Sequence, residues 1–212
     1  MSTSQSRMLL AAVALVGMCG LAACSAAPGA APAPTSTAAP TVDGGDVSPP
    51  DGRVIGTGTV LDVAGEPQLC LGGVAESYPP QCSGVPLDRW TWDGVDGSES
   101  SGDTTWGTYA VYGTFDGERL TVTDPPIMLA LYDPIRSEDP TGGVEGKSSQ
   151  EELARVQDEL SASAGPEALL LWTERGYVWM QVVWDDGSLQ NAMDARYGDG
   201  VVVVTSALRE VD

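Results

Sequence analysis

Histidine is absent from all 212 residues, and that absence removes several functions at once. Without imidazole there is no Ser-His-Asp or Cys-His pairing, no ordinary general base near neutral pH, and no common zinc ligand. Basic residues are scarce as well: ten Lys and Arg stand against thirty Asp and Glu, a net charge of −20. Nucleic-acid binding depends on neutralising phosphates, so this balance argues against it, and against docking on anionic headgroups through a basic patch. An acidic surface keeps a secreted domain dispersed; a basic partner or a bound divalent cation would be its other uses. Glycine-rich phosphate signatures are missing, since Gly56-Thr57-Gly58 opens no helix. Ser163 and Lys147 form no Ser-x-x-Lys arrangement. No catalytic set emerges, and no cofactor is expected. Paired carboxylates suit glycoside chemistry, but with thirty acidic residues any two can be nominated.

What is present starts at the N-terminus. Residues 1–23 read as an export signal, with Arg7 as the positive region, Met8 to Met18 as the apolar core, and small residues from Gly20 to Ala23. Leu21-Ala22-Ala23-Cys24 resembles a bacterial lipobox. The resemblance implies a diacylglyceryl group on Cys24, fatty acylation of the palmitate type, loss of residues 1–23, and a place on the extracytoplasmic face of the cell membrane. Two acyl chains suffice for stable anchoring where one does not. The competing reading is an uncleaved anchor from Met8 to Ala27, just long enough to span. No later segment is long and apolar enough to cross.

Four cysteines occur. Cys19 lies in the segment to be removed and Cys24 carries the lipid, which leaves Cys70 and Cys82. An even pair in an oxidising compartment reads as a disulfide, worth roughly 3 kcal/mol on the chain-entropy model; two buried thiols are the alternative. Residues 24–50 read as a disordered linker of Ala, Pro, Thr and Ser, too poor in apolar surface to fold. Its prolines keep it extended, with a reach of roughly 80 Å from the membrane.

From residue 51 the texture changes to short strands and glycine turns. Val54 to Leu61 has the β-branched content of a strand, with glycines suggesting bulges or bends. Gln68 to Leu71 follows a turn. Tyr109 to Phe115, the turn Asp116-Gly117, and Leu120 to Thr123 make the clearest hairpin. Residues 51–126 therefore suggest a small antiparallel β-barrel, OB-like in type, interrupted by an acidic loop from Asp93 to Asp103, exposed and mobile. That loop has oxygen ligands that suit calcium but lacks the EF-hand spacing; a solvated loop is the simpler reading. Residues 127–212 change pattern again. Ser149-Gln150-Glu151-Glu152 is a capping box before Leu153, Val156 and Leu160 at helical spacing, and Gly165-Pro166 stops that helix. Ala168 to Glu174 and Tyr177 to Trp184 are strands, Ser188 caps a short helix presenting Leu189 and Met193, and Val201 to Val204 is a buried strand. With Ile127 to Leu131 as a first strand, and Tyr132 to Ser148 as an insertion, this is a ferredoxin-like βαββαβ subdomain. The fold class expected is α+β.

Phe occurs once, so six Trp and six Tyr must supply the aromatic core. Trp90 and Trp92 alternate on one face of an expected strand. With Tyr78, on the loop between Cys70 and Cys82, they are the candidate binding surface, because Trp and Tyr stack on sugars or grip exposed peptide; a place in the core is the alternative. The loop's Gly72-Gly73 permits a sharp turn and Pro79-Pro80 stiffens the return, making either a contact loop or a staple.

Gln68-Leu69-Cys70-Leu71-Gly72-Gly73-Val74, then Ser77 to Cys82, then Trp90-Thr91-Trp92, resemble a motif of uncharacterised secreted lipoproteins of high-GC Gram-positive bacteria. The endings Asp194 to Gly198, Gly200 to Val202 and Ser206 to Leu208 are similar to theirs too. The resemblance implies the compartment and no activity. The expectation is a lipid-anchored envelope protein that binds or scaffolds, facing an envelope protein or a cell-wall component, and is not an enzyme. An envelope hydrolase and an inhibitory accessory protein are the alternatives.

Overall fold

The computed structural model describes residues 47–134, 136, 138–163 and 168–211. The export signal, Cys24, the linker up to residue 46, and the Gly165-Pro166 stop lie outside the described residues. Eleven strands run as β1 (Arg53–Val63), β2 (Glu66–Cys70), β3 (Val85–Asp88), β4 (Glu99–Ser101), β5 (Thr104–Phe115), β6 (Leu120–Val122), β7 (Ile127–Met128), β8 (Ala168–Glu174), β9 (Tyr177–Val182), β10 (Val202–Ser206) and β11 (Arg209–Val211). Helix α1 (Gln150–Ser163) precedes β8, α2 (Ser188–Tyr197) precedes β10, and a single 3-10 turn (Leu129–Leu131) follows β7.

Five strands close a barrel in the order β1-β2-β3-β6-β5 and back to β1. The closing pair is the longest: β1 and β5 run antiparallel from Val54 opposite Gly113 to Val63 opposite Thr104. The expected hairpin is present, with Phe115 opposite Leu120, and β3 lies parallel to β6. Inward residues Val54, Val60, Leu69, Leu87, Tyr109, Val111 and Leu120 form one buried cluster. Gly56 is small for a packing reason, not a bend. A Cβ there would stand 2.8 Å from Leu208 Cδ2 and 2.9 Å from Leu69 Cδ2, so its absence admits Leu208 into the barrel.

The expected ferredoxin-like unit does not form among the described residues. The second sheet has three strands, β10-β9-β8, with β8 antiparallel and β10 parallel to β9. Its intended first strand, Ile127-Met128, pairs instead with Ala110 and Tyr109 of the barrel. Only a few residues separate β6 from β7, and two are prolines, so the nearest open edge takes the segment. A split βαβ needs a strand between its two parallel members; here β9-α2-β10 is unsplit. Both helices cover one face, where Leu153, Val156, Leu160, Leu189 and Met193 pack on Val178, Met180, Val182 and Val202.

Helix α1 begins as its sequence dictates: Ser149 Oγ accepts from the Glu152 N–H at 3.2 Å. Helix α2 differs from expectation. Ser188 is its first residue, not its cap; Gly187 precedes it with φ 98° and makes no side-chain cap. The helix N–H groups of Leu189 and Gln190 donate to Asp185 instead, at 2.9 and 3.3 Å. A carboxylate there also meets the positive end of the helix dipole. The Gln190 side chain covers the outer edge of β10, donating to the Val202 carbonyl and accepting from the Val204 N–H. Tyr177, Trp179 and Val203 are buried on the other sheet face. The segment read as an insertion packs there: Tyr177 Oη donates to the Val144 carbonyl at 3.2 Å, and Arg175 pairs with Asp139 at 2.9 Å.

The two layers interlock at the chain ends. The N–H groups of Ala207 and Leu208 donate to the carbonyls of Val182 and Val183, Leu208 is fully buried among barrel residues, and β11 then joins the barrel beside β1. At the other end the Ser48 N–H donates to Asp186, while the Ser48 carbonyl accepts from Trp184 Nε1 at 2.9 Å. Among the described residues no helix is long and apolar enough to cross a membrane.

Leu208→Ala, which empties a site in the barrel core, should cost about 2–5 kcal/mol, read as a lower urea midpoint. Hydrogen bonds from Ser188 and Ser48 hold the Asp186 carboxyl down at about 2, from an ordinary 3.8. A depressed carboxyl contributes stability in full above its unfolded value and loses it as pH falls through the folded one. The Asp186 contribution should therefore fade between pH 3.8 and about 2, and Asp186→Asn should remove that part of the acid dependence of the unfolding midpoint.

Candidate binding cleft

Strand β5 gives nearly its whole length, Thr104 to Gly113, to β1 on one edge, but shares its other edge among three short partners. β4 pairs with Thr104 to Trp106, β7 with Tyr109 and Ala110, and β6 with Gly113 to Phe115. The connections β3–β4 and β6–β7 fill the seam between them. There a concave feature opens, about 550 Å³ in volume. Trp90, Tyr109, Val122 and Met128 line its apolar interior; Pro125, Pro126, Ile127 and Leu131 form one wall; Arg89, Asp93, Asp96 and Asp124 stand around it.

Two rings, Trp90 and Tyr109, line it, and a third, Trp92, packs against both. Trp90 meets Trp92 edge-on at 5.1 Å between centroids, and Tyr109 lies 5.6 Å from Trp90 and 6.1 Å from Trp92. Each contact favours the offset geometry that aromatic quadrupoles prefer. Trp92 Nε1 donates to Asp62 Oδ2 at 2.9 Å, and Tyr109 Oη to the Asp96 carbonyl at 3.0 Å. Burial, and then the Asp96 charge, push the Tyr109 phenol above its usual range. Trp90 Nε1 is buried without a hydrogen-bond partner among the described residues. Asp124 accepts from Thr123 Oγ1 at 2.6 Å and from Arg53 at 2.8 Å, and these donors, Thr123 first, hold its carboxyl below the ordinary range.

The sequence-predicted surface residues separate. Trp90 and Trp92 are not on a strand; they lie in the β3–β4 connection, just past Arg89, whose positive φ of 61° turns the chain out of β3. Both are half-buried and pack against the barrel core, and Trp90 also lines the cleft. The acidic loop is exposed as expected in its side chains, yet its backbone is tied. Ala64 donates to the Asp103 carbonyl, Glu99–Ser101 is strand β4, and a Cβ on Gly97 would stand 2.5 Å from Met128 Sδ. No cluster of three metal-ligating side chains forms among the described residues.

The disulfide joins Cys70 and Cys82 with Cα atoms 6.1 Å apart. Its loop is tied by the Ala75–Gln81 bridge and by Ser77 Oγ donating to the Pro79 carbonyl at 2.8 Å. Tyr78 is 72% exposed at its tip and meets Trp106 edge-on at 5.2 Å, away from the cleft. Sequence reasoning missed Tyr109 as a cleft residue, together with the wall from Pro125 to Leu131. The available signal was an apolar run directly after two prolines.

No family model, curated protein or solved structure matches the chain. The chemistry of the cleft rests on its own side chains: an apolar, ring-lined trough with more carboxylate than guanidinium at its mouth. Trp92→Phe keeps the ring packing but removes the side-chain donor from Asp62 Oδ2, leaving the half-buried carboxylate only the Gly65 N–H on Oδ1. It should cost about 1–3 kcal/mol in denaturant unfolding, and much less when combined with Asp62→Ala.

Proposed function

We propose that this chain is a cell-envelope lipoprotein, anchored through Cys24 on the extracytoplasmic face of the cell membrane, whose body is a non-catalytic binding or scaffolding module. The signal-like residues 1–23 and the lipobox-like Leu21 to Cys24 support the anchor. The Cys70–Cys82 disulfide fits an oxidising compartment. We read the barrel as OB-like because, once the short β4 is set aside, the order β1-β2-β3-β6-β5-β1 with β3 parallel to β6 follows that connectivity. Barrels of this kind carry binding sites on faces and loops, an analogy of fold alone.

The observation that carries the binding reading is the cleft itself. It has the size and the apolar lining with few polar groups that ligand sites share. Its partner is an envelope protein or cell-wall component, and not nucleic acid, which the charge of −20 disfavours. A second reading, an inhibitory accessory protein, is favoured by the tied disulfide loop with Tyr78 at its exposed tip, since a preorganised loop loses less entropy on binding.

Cells fed labelled palmitate should yield labelled protein in the membrane fraction, and Cys24→Ala should abolish the label and release the protein. An unlabelled wild-type protein overturns the anchor.

A further inference from the structure

The cleft's mouth is joined to exposed apolar surface. Ile127, Leu129 and Leu131 are 36%, 37% and 75% exposed, three consecutive odd positions along the segment that walls the cleft. The remaining exposed large apolar side chains, such as Val63, Val144 and Leu170, belong to other elements. Contiguous exposed apolar surface beside a cavity marks an interaction site. On the same rim Asp93 and Asp96 are exposed, and neither is in an ion pair among the described residues. Arg89 is the one cation lining the cleft among those residues.

We infer that this cleft receives a cationic amphipathic peptide segment, its apolar side chains entering between Trp90, Met128 and Leu131 and its Lys or Arg groups meeting Asp93 and Asp96. The inference rests on the binding-module reading and names the class of partner. Charge complementarity selects the sign: a chain of net charge −20 repels anions and steers cations toward it. The wall selects the class. Proline, isoleucine, leucine and methionine give no hydroxyl-matching donors for a sugar, whereas they suit leucine or aromatic side chains, and methionine adapts to irregular ones. An acidic rim around an apolar trough is also how grooves accept an amphipathic helix from its i, i+3, i+4 anchors.

The full-length protein in a neutral detergent would be titrated by calorimetry, and by tryptophan fluorescence, with a synthetic peptide of leucine and lysine at helical spacing. Two control peptides replace every lysine by glutamate or every leucine by serine. Leu131→Ser, and the pair Asp93→Asn with Asp96→Asn, should each weaken binding by about tenfold, while Leu170→Ser and Asp158→Asn on other surfaces leave it unchanged. All five positions are exposed, so folding is not at issue. Equal weakening by the remote variants, binding of either control peptide as tight as the first, or no heat at all overturns the inference. Should a neutral envelope glycan shift the fluorescence where the lysine peptide does not, the partner class is wrong and the binding module stands. Failure of palmitate labelling would instead strike the anchor, not the cleft.

Discussion

One strand edge governs this molecule. β5 pairs with β1 along nearly its full length, from Gly113 to Thr104, and this antiparallel ladder closes the barrel. A strand that long leaves an equally long opposite edge whose N–H and C=O groups need partners. β6 is three residues long and reaches only Gly113 to Phe115. The remainder must be met by other chain, so β4 and β7 are recruited, and the Thr123 N–H donates to the Tyr112 carbonyl. The cleft is what remains where these short pieces fail to abut. The same mismatch in strand length that draws Ile127-Met128 out of the second layer leaves a trough beside Trp90.

A barrel this small has two ends to seal and little core to seal them with. At one end Leu208 inserts where Gly56 lacks a side chain, accompanied by Leu169, Val183 and Trp184 from the other layer. Toward the other end Trp92 covers Asp62 and Trp90 packs on Tyr109. The six tryptophans therefore do not divide cleanly into core and surface. Trp92 is held by a carboxylate inside the barrel mouth, while Trp90 shares one ring between the core and the cleft. The disulfide staples the β2–β3 connection outside both seals, and it holds Tyr78 out toward solvent.

Much of the local structure was legible. The strand-forming runs Tyr109 to Phe115 and Leu120 to Thr123 about the turn at Asp116-Gly117 specified a hairpin, and Leu153, Val156 and Leu160 specified the buried face of α1. The pair Cys70 and Cys82 forms the bridge that the sequence suggested. Less legible were the features that depend on how the chain turns or on residues far apart in sequence. Ser188 looked like a cap because capping residues are recognised by type, but Asp185 lies closer to the free N–H groups once Gly187 turns the chain. Gly56 looked like a bend because its need for space comes from Leu208, which lies far along the chain.

The sequence by itself determined the hairpin about Asp116-Gly117, the buried face of α1 and the acidic balance of charge, because each of these follows from nearby residues or from simple counting. Tertiary structure alone decided that Ile127-Met128 belongs to the barrel, that Trp90 and Trp92 leave the strand ladder, and that Tyr78 stands apart from both. Side-chain periodicity says which face of a strand is apolar, but it carries no record of which distant edge lies open to receive it. That choice was made by the unequal lengths of β5 and β6, and the cleft follows from it.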